Sequence, residues 1–199
     1  MQTITLKDIL EKCWTLIKEI YMEGKICSER HLQSEIFHIL KQDNNFNAEY
    51  KIFIEPTIYS DKKEMDDSLI IGIIPDILIT NHQDKIVCVF ELKYKPNGYV
   101  RYKKDINNFG KFNDLKGSEF PIYLATNPKN GDWDYKRPFK IDKNILFAYA
   151  IIANEYSDAL KKTEEIWKNT EFLKQPITNY IQLIGSVNDR DTIFSKYPC

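Results

Sequence analysis

Cysteine is scarce in this chain and histidine scarcer. Four cysteines (Cys13, Cys27, Cys88, Cys199) stand far apart among 199 residues, with no Cys-x-x-Cys spacing. That argues against a zinc site or a disulfide framework and for reduced thiols in a cytoplasm. The three histidines offer no cluster: His31 and His38 lie two turns apart on one helix, and His82 falls in a polar link. Surface or packing roles suit them better than metal ligation. No apolar run has membrane-spanning length and no secretory signal is present, so a membrane partner is not expected. A strong net charge is missing too. The formal charge of −1 provides no global basic field to recruit a polyanion. Repeats, low-complexity tracts and a dividing linker are absent as well, which leaves one domain with a sizeable core. A hydrophobic share of 43% and a charged share of 29% fit a folded, soluble chain.

What is present is a pattern of alternation. Residues 69–80 (Leu-Ile-Ile-Gly-Ile-Ile-Pro-Asp-Ile-Leu-Ile-Thr) and 86–93 (Ile-Val-Cys-Val-Phe-Glu-Leu-Lys) are apolar and β-branched, joined by Asn81–Lys85. Two such runs around a short polar link predict a hairpin. In the second run Ile86, Cys88, Phe90 and Leu92 share one face; Val87, Val89, Glu91 and Lys93 share the other. With Gln83-Asp84 at the centre of the turn, residue 81 faces 86, and Asp76 falls opposite Glu91. Two facing carboxylates in an apolar sheet repel unless a cation sits between them. Oxygen ligands suit a hard ion such as Mg²⁺, with Mn²⁺ a substitute. A lysine two residues past a metal carboxylate suits phosphodiester hydrolysis, because its ammonium positions a water or stabilises developing charge.

Charge also clusters. Residues 93–116 hold seven bases (Lys93, Lys95, Arg101, Lys103, Lys104, Lys111, Lys116) against two acids (Asp105, Asp114), a local net of 7 − 2 = +5. Such a patch suffices for phosphate contacts, although a charge run is more often a solvated helix face. Here it follows the carboxylates directly.

Other elements are legible from period and punctuation. Thr3–Tyr21 is an amphipathic helix with Ile9, Leu10, Trp14, Ile17 and Tyr21 apolar. Ser28 caps a second helix whose stripe is Leu32, Ile36, Ile39 and Leu40, ended by Asp43-Asn44-Asn45. Ala48–Tyr59 alternates as a strand, and 60–68 is a charged loop. Tyr99–Leu115 is helical, with Tyr102, Ile106, Phe109 and Phe112 inward and Arg101, Lys104, Asn108 and Lys111 outward; Gly110 weakens it. Phe120–Thr126 and Ile145–Ile152 read as strands, Asn127–Arg137 as a polar loop carrying Trp133, and Ser157–Asn169 as a helix with Ile166 and Trp167 inward. Ile177–Ile184 suits strand or helix.

Pro75-Asp76 and Glu91-Leu92-Lys93, on a hairpin, resemble the signature of the PD-(D/E)XK nuclease superfamily, with its restriction-endonuclease-like fold. The α-β-β-β-α-β order over 28–127 is similar to that superfamily's core, covering about half of the chain. The fold class expected is therefore α/β: a mixed central sheet flanked by helices, with the helix 3–22 and the extension 128–199 packed on the core. The resemblance implies metal-dependent hydrolysis of nucleic-acid phosphodiesters, DNA before RNA. It assigns Mg²⁺ to Asp76, Glu91 and the Leu92 carbonyl, and the nucleophilic water to Lys93. The resemblance also implies a third acid from the preceding helix. Glu29 and Glu35 compete for that place; Glu35, in Leu32-Gln33-Ser34-Glu35, is favoured, since Glu29 in the first turn is explained by the helix dipole. Glu55 is an outsider, and Asp66 and Asp67 sit in the charged loop. Lys95, Arg101, Lys104, Asn108 and Lys111 are the expected nucleic-acid contacts. No glutamine occurs in Tyr102–Lys116, which disfavours the RecB-like branch. Enzymes of this type often act as homodimers, although no dimer surface is legible. The rivals are an inert module that kept the fold for binding or scaffolding, and hydrolysis of a non-nucleic phosphodiester, against which the basic helix argues.

Overall fold

The computed structural model describes residues 4–60, 73–96, 102–117, 122–124, 138–170, 173, 176–186 and 194–197. The chain opens with α1 (Leu6–Met22), whose start is fixed by a capping box: Thr5 Oγ1 accepts the Asp8 N–H, and Asp8 Oδ2 accepts the Thr5 N–H at 2.9 Å. Ser28 caps α2 (Glu29–Gln42) as expected, its Oγ accepting the His31 N–H at 3.1 Å. Asp43 then does more than end α2. Its Oδ1 accepts the N–H groups of Asn45 and Phe46 and so starts a short helix, α3 (Asn44–Glu49), that the strand expected over 48–59 overlooked.

That strand is also split. β1 (Tyr50–Ile54) ends at Glu55, held at φ 43°, and β2 (Ile58–Ser60) resumes after Pro56. Proline has no N–H to give a ladder and restricts the residue before it, so the break falls at Glu55-Pro56.

The hairpin forms as β3 (Ile77–Asn81) and β4 (Lys85–Lys95). Asn81 shapes its turn, Oδ1 accepting the N–H groups of Gln83 and Lys85. At the turn Thr80 faces Ile86, one residue off the expected register. A bulge then shifts the pairing so that Ile79 faces Cys88 and Ile77 faces Phe90. The extra residue turns Ile86 onto the face of Val89, away from Cys88, Phe90 and Leu92, which corrects the face expected for it. Beyond the bulge the register is the expected one, and Asp76, the residue before β3, falls across from Glu91.

After β4 come α4 (Lys103–Asp114), β5 (Ile122–Leu124), β6 (Pro138–Ala153), α5 (Tyr156–Thr170), β7 (Tyr180–Ser186) and β8 (Phe194–Tyr197). A central run of five strands, β1-β3-β4-β6-β7, is extended by β8. β1, β3 and β4 are antiparallel; β4–β6 and β6–β7 are parallel, each joined through a helix, α4 and α5. This is an α/β fold with a mixed sheet between helices. The strand beside β4 is β6, and the strand expected over 120–126 lies off this run. Its described part, β5, pairs with β2 and the start of β6. Residues beyond 128 thus supply β6 and β7 to the sheet itself, and the segment left open as strand or helix is β7.

Two cores lie on opposite sheet faces. One packs Leu10, Trp14 and Ile17 of α1 and Leu32, Ile36 and Leu40 of α2 against Ile77, Cys88, Phe90, Ala148 and Leu183. The other packs Ile106, Phe109 and Phe112 of α4 and Trp167 of α5 against Leu78, Val89, Phe147, Tyr149 and Ile184. Gly110 has a packing role: a Cβ there would meet Leu173 Cδ2 at 2.8 Å. Among the described residues, no helix is long and apolar enough to cross a membrane.

Candidate carboxylate and lysine site

The end of β4 brings a set of charged groups beneath α4. Asp76 is fixed at three points. Its Oδ2 accepts the Leu92 N–H at 2.6 Å, and its carbonyl accepts Gln33 Nε2 at 2.7 Å and the Glu55 N–H at 3.0 Å. Gln33 is buried on α2, so the helix before the sheet sets the height of the Asp76 backbone.

Glu91 is only 2% exposed, and its Oε1 accepts Asn108 Nδ2 at 2.9 Å. Burial above all, then the charges of Asp76 and Asp105, push its carboxyl well above the usual range. Lys93 Nζ donates to the Leu92 carbonyl at 2.8 Å and pairs with Asp105 at 3.1 Å. Burial works against the Lys93 ammonium, but Asp105, Asp76 and Glu29 together outweigh it and raise its pKa. The Asp105 carboxyl is pushed up to about 6 by burial, with Lys93 pulling the other way. Tyr149, paired with Glu91 in the sheet register, is fully buried and kept as a neutral phenol by burial and by Asp105, Glu91, Glu29 and Asp76. Four carboxyl groups thus act on a site that has one ammonium among the described residues. Such an excess of negative charge, with Glu91 and Asp105 buried, calls for protons or an added cation.

Several sequence expectations fall elsewhere. Glu35 pairs with His31 Nε2 at 3.5 Å, its side chain 26% exposed, while His31 Nδ1 lies 3.6 Å from Cys27 Sγ. The acid of α2 that reaches β4 is Glu29, whose Oε2 accepts the Tyr94 N–H at 3.2 Å. Asn108, expected outward on a nucleic-acid face, is buried and bonded to Glu91. Of the other expected contacts, Lys95 and Lys104 are exposed and Lys111 is half-buried. Arg101, Asp66, Asp67 and the loop around Trp133 lie outside the described residues.

Asp105, Gln33 and Tyr149 join the site without a motif to mark them in the sequence. A signal for the first existed. Asp105 stands four residues before Phe109, and Asn108 four before Phe112, so both flank the apolar stripe of α4. Tyr149 shares a strand face with Phe147 and Ile151, which places it on the Glu91 face once β6 is set beside β4.

Among the described residues, no group of three or more His, Cys, Asp or Glu side chains is arranged to close on a metal ion. The donors on offer are two carboxylates and a carbonyl: Asp76, Glu91 and Leu92. Comparison with protein-family models, curated proteins and solved structures finds no match in any of the three.

Proposed function

We propose that this chain is a metal-dependent nuclease of the PD-(D/E)XK type, with a restriction-endonuclease-like core, hydrolysing nucleic-acid phosphodiesters, DNA before RNA. The observation that carries the reading is the buried Glu91 carboxyl facing Asp76, with Lys93 on the same strand face. The donor set fits a hard cation: all oxygen, overloaded with negative charge, and short of positive charge. Asp76, Glu91 and the Leu92 carbonyl would hold Mg²⁺, or Mn²⁺ in its place. When bound, that ion supplies Lewis-acid polarisation of the phosphoryl oxygen and a water of lowered pKa.

The chain's own residues do the rest. The Leu92 N–H and Gln33 hold Asp76, and Asn108 holds Glu91, so neither carboxylate has to be ordered on binding. The Lys93 ammonium stands beside the carboxylates, where it orients a water and offsets charge developing on the phosphate. Glu29, which meets the Tyr94 N–H and acts on Lys93, would complete the shell in place of Glu35. Lys95, Lys104 and Lys111 would meet backbone phosphates, which position a duplex without reading it.

A second reading, an inert binding or scaffolding module, is favoured by one observation: Lys93 Nζ occupies the Leu92 carbonyl that a metal would use. Incubation with plasmid and with single-stranded DNA, in Mg²⁺, Mn²⁺ or EDTA, separates the two. Cleavage that requires the ion and is lost in Asp76→Ala supports the nuclease. Intact DNA in all conditions supports the module.

A further inference from the structure

We infer that Asp105 is a positioning residue that draws Lys93 aside and keeps the Asp76–Glu91 pair open to a divalent cation. This rests on the metal-site reading above. The ammonium is the cation most easily placed between those carboxylates. Lys93 is two residues past Glu91 on the same strand face, on a flexible four-carbon stem. Were it to drop onto Glu91 or Asp76, it would quench their repulsion and occupy the metal's place. Among the described residues its ion-pair partner is instead Asp105, at 3.1 Å, with the lysine side chain 12% and the aspartate side chain 4% exposed; the same ammonium still donates to the Leu92 carbonyl at 2.8 Å, so what Asp105 keeps clear is the carboxylate pair.

The cost of burying Asp105 suggests a purpose other than stability. Buried ion pairs often contribute no more than an apolar pair of the same size would. Asp105 also sits inside a built polar cluster. One turn further along α4, Asn108 holds Glu91, so a single helix face grips both motif residues. Behind them the Tyr149 hydroxyl, buried and with no hydrogen-bond partner among the described groups, senses Asp105 ahead of the other acids.

The test is calorimetric Mn²⁺ and Mg²⁺ titration of the full chain, in the parent, Asp105→Asn, Lys93→Met and the double variant. Asp105→Asn removes a negative charge that is not a ligand, yet lets Lys93 collapse onto the ligands. The dissociation constant should rise about tenfold or more, the scale of losing an outer-shell partner. In the Lys93→Met background the same substitution should change it by less than about twofold, because a residue acting through another loses its effect once that other is gone. Asp105→Glu, which keeps the charge, should restore parental affinity. An unchanged constant in Asp105→Asn overturns the inference. So does an equal loss in both backgrounds, which would mark a general field effect. If Asp105→Asn does not fold, Asp105→Glu decides: affinity far below the parent's overturns the inference. A parent that takes up neither ion defeats the metal-site reading itself. A parent that binds but ignores Asp105 defeats this inference alone.

Discussion

Asn108 and Glu91 are joined by a 2.9 Å hydrogen bond that is buried at both ends, an amide on α4 capping a carboxyl on the central strand. It couples the basic helix to the candidate site, because any displacement of α4 moves Glu91. Removing the donor in Asn108→Ala leaves a buried carboxyl oxygen without its partner, which costs about 1–3 kcal/mol. Asn108→Asp should cost more in EDTA, since it adds another carboxyl to an acid-rich cluster. Urea unfolding of the two variants, with and without Mn²⁺, checks the order. Equal stability of both variants and the parent would place this bond outside the cooperative core.

The same cluster dictates how stability changes with pH. Asp105 has a folded pKa of about 6 against an ordinary value of 3.8, and Glu91 is raised as well. For a carboxyl raised by folding, the native state binds the extra proton between those two values. Stability therefore falls as pH rises through that window and levels off above it. For Asp105 the loss is on the order of 3 kcal/mol. Urea midpoints in EDTA from pH 4 to 7 should decline in the parent, and more gently in Asp105→Asn. A midpoint that climbs across this window would contradict the arrangement of acids.

A cation should reverse that loss. Mg²⁺ at about a hundred times its dissociation constant would add about 2.7 kcal/mol, because a ligand bound only by the folded state stabilises it by mass action. Asp76→Asn should raise the metal-free melting temperature by relieving repulsion on Glu91, while blunting the response to the ion. A parent whose melting is indifferent to millimolar Mg²⁺ and Mn²⁺ would favour the inert module.

How far the chain could be read without its structure follows from the reach of each signal. The pairing of Asp76 with Glu91 was legible because a strand repeats every two residues and the turn fixes the count. The bulge that moved Ile86 to the other face left that end of the ladder intact. The sequence favours Glu35 over Glu29 because the contact of Glu29, the Tyr94 N–H, is a tertiary meeting of α2 with the end of β4 that no local period encodes. Asn108 reads as outward when taken as one member of a polar row, whereas its spacing from Phe112 also admits the inner face. The sequence marks β6 as a strand but not its place, because which strand follows a crossover depends on burial across the whole sheet. Its inner half, Phe147 to Ala153, is apolar on both faces, as a central parallel strand must be.

The two candidate helix acids separate by their contacts. Glu29→Gln removes charge from the group that meets β4 and acts on Lys93, and should slow metal-dependent cleavage about a hundredfold, the scale of one catalytic electrostatic contact. Glu35→Gln alters a pair with His31 near the surface and should leave the rate within about threefold. Lys93→Ala and Asp76→Ala should abolish cleavage without unfolding the chain. Rates measured on one plasmid under saturating Mg²⁺ rank the four. A larger loss in Glu35→Gln than in Glu29→Gln would return the helix acid to Glu35.

A nuclease of the proposed kind would need a path for its nucleic acid past the carboxylates. Asn108 is bonded to Glu91, so in the proposed nuclease phosphate contacts along α4 would fall to Lys104, which is exposed, and Lys111, which is half-buried. They are seven residues apart and so share one helical face. Lys95, exposed at the end of β4, is the third lysine expected to meet phosphate. Contacts of this kind neutralise phosphates and release counterions, so each one lost should flatten the log–log salt dependence of binding by about 0.9 unit, for every sequence alike. A Lys95/Lys104/Lys111→Ala variant should thus lose up to about 2.7 units of slope while keeping its Mn²⁺ affinity, because none of the three touches Asp76, Glu91 or Leu92. Salt titrations of a fluorescent duplex, in Ca²⁺ to hold back cleavage, measure this directly. An unchanged slope would mean that these lysines are a solvated face, and would move the search for the nucleic-acid path to Arg101 and the basic loop around Trp133.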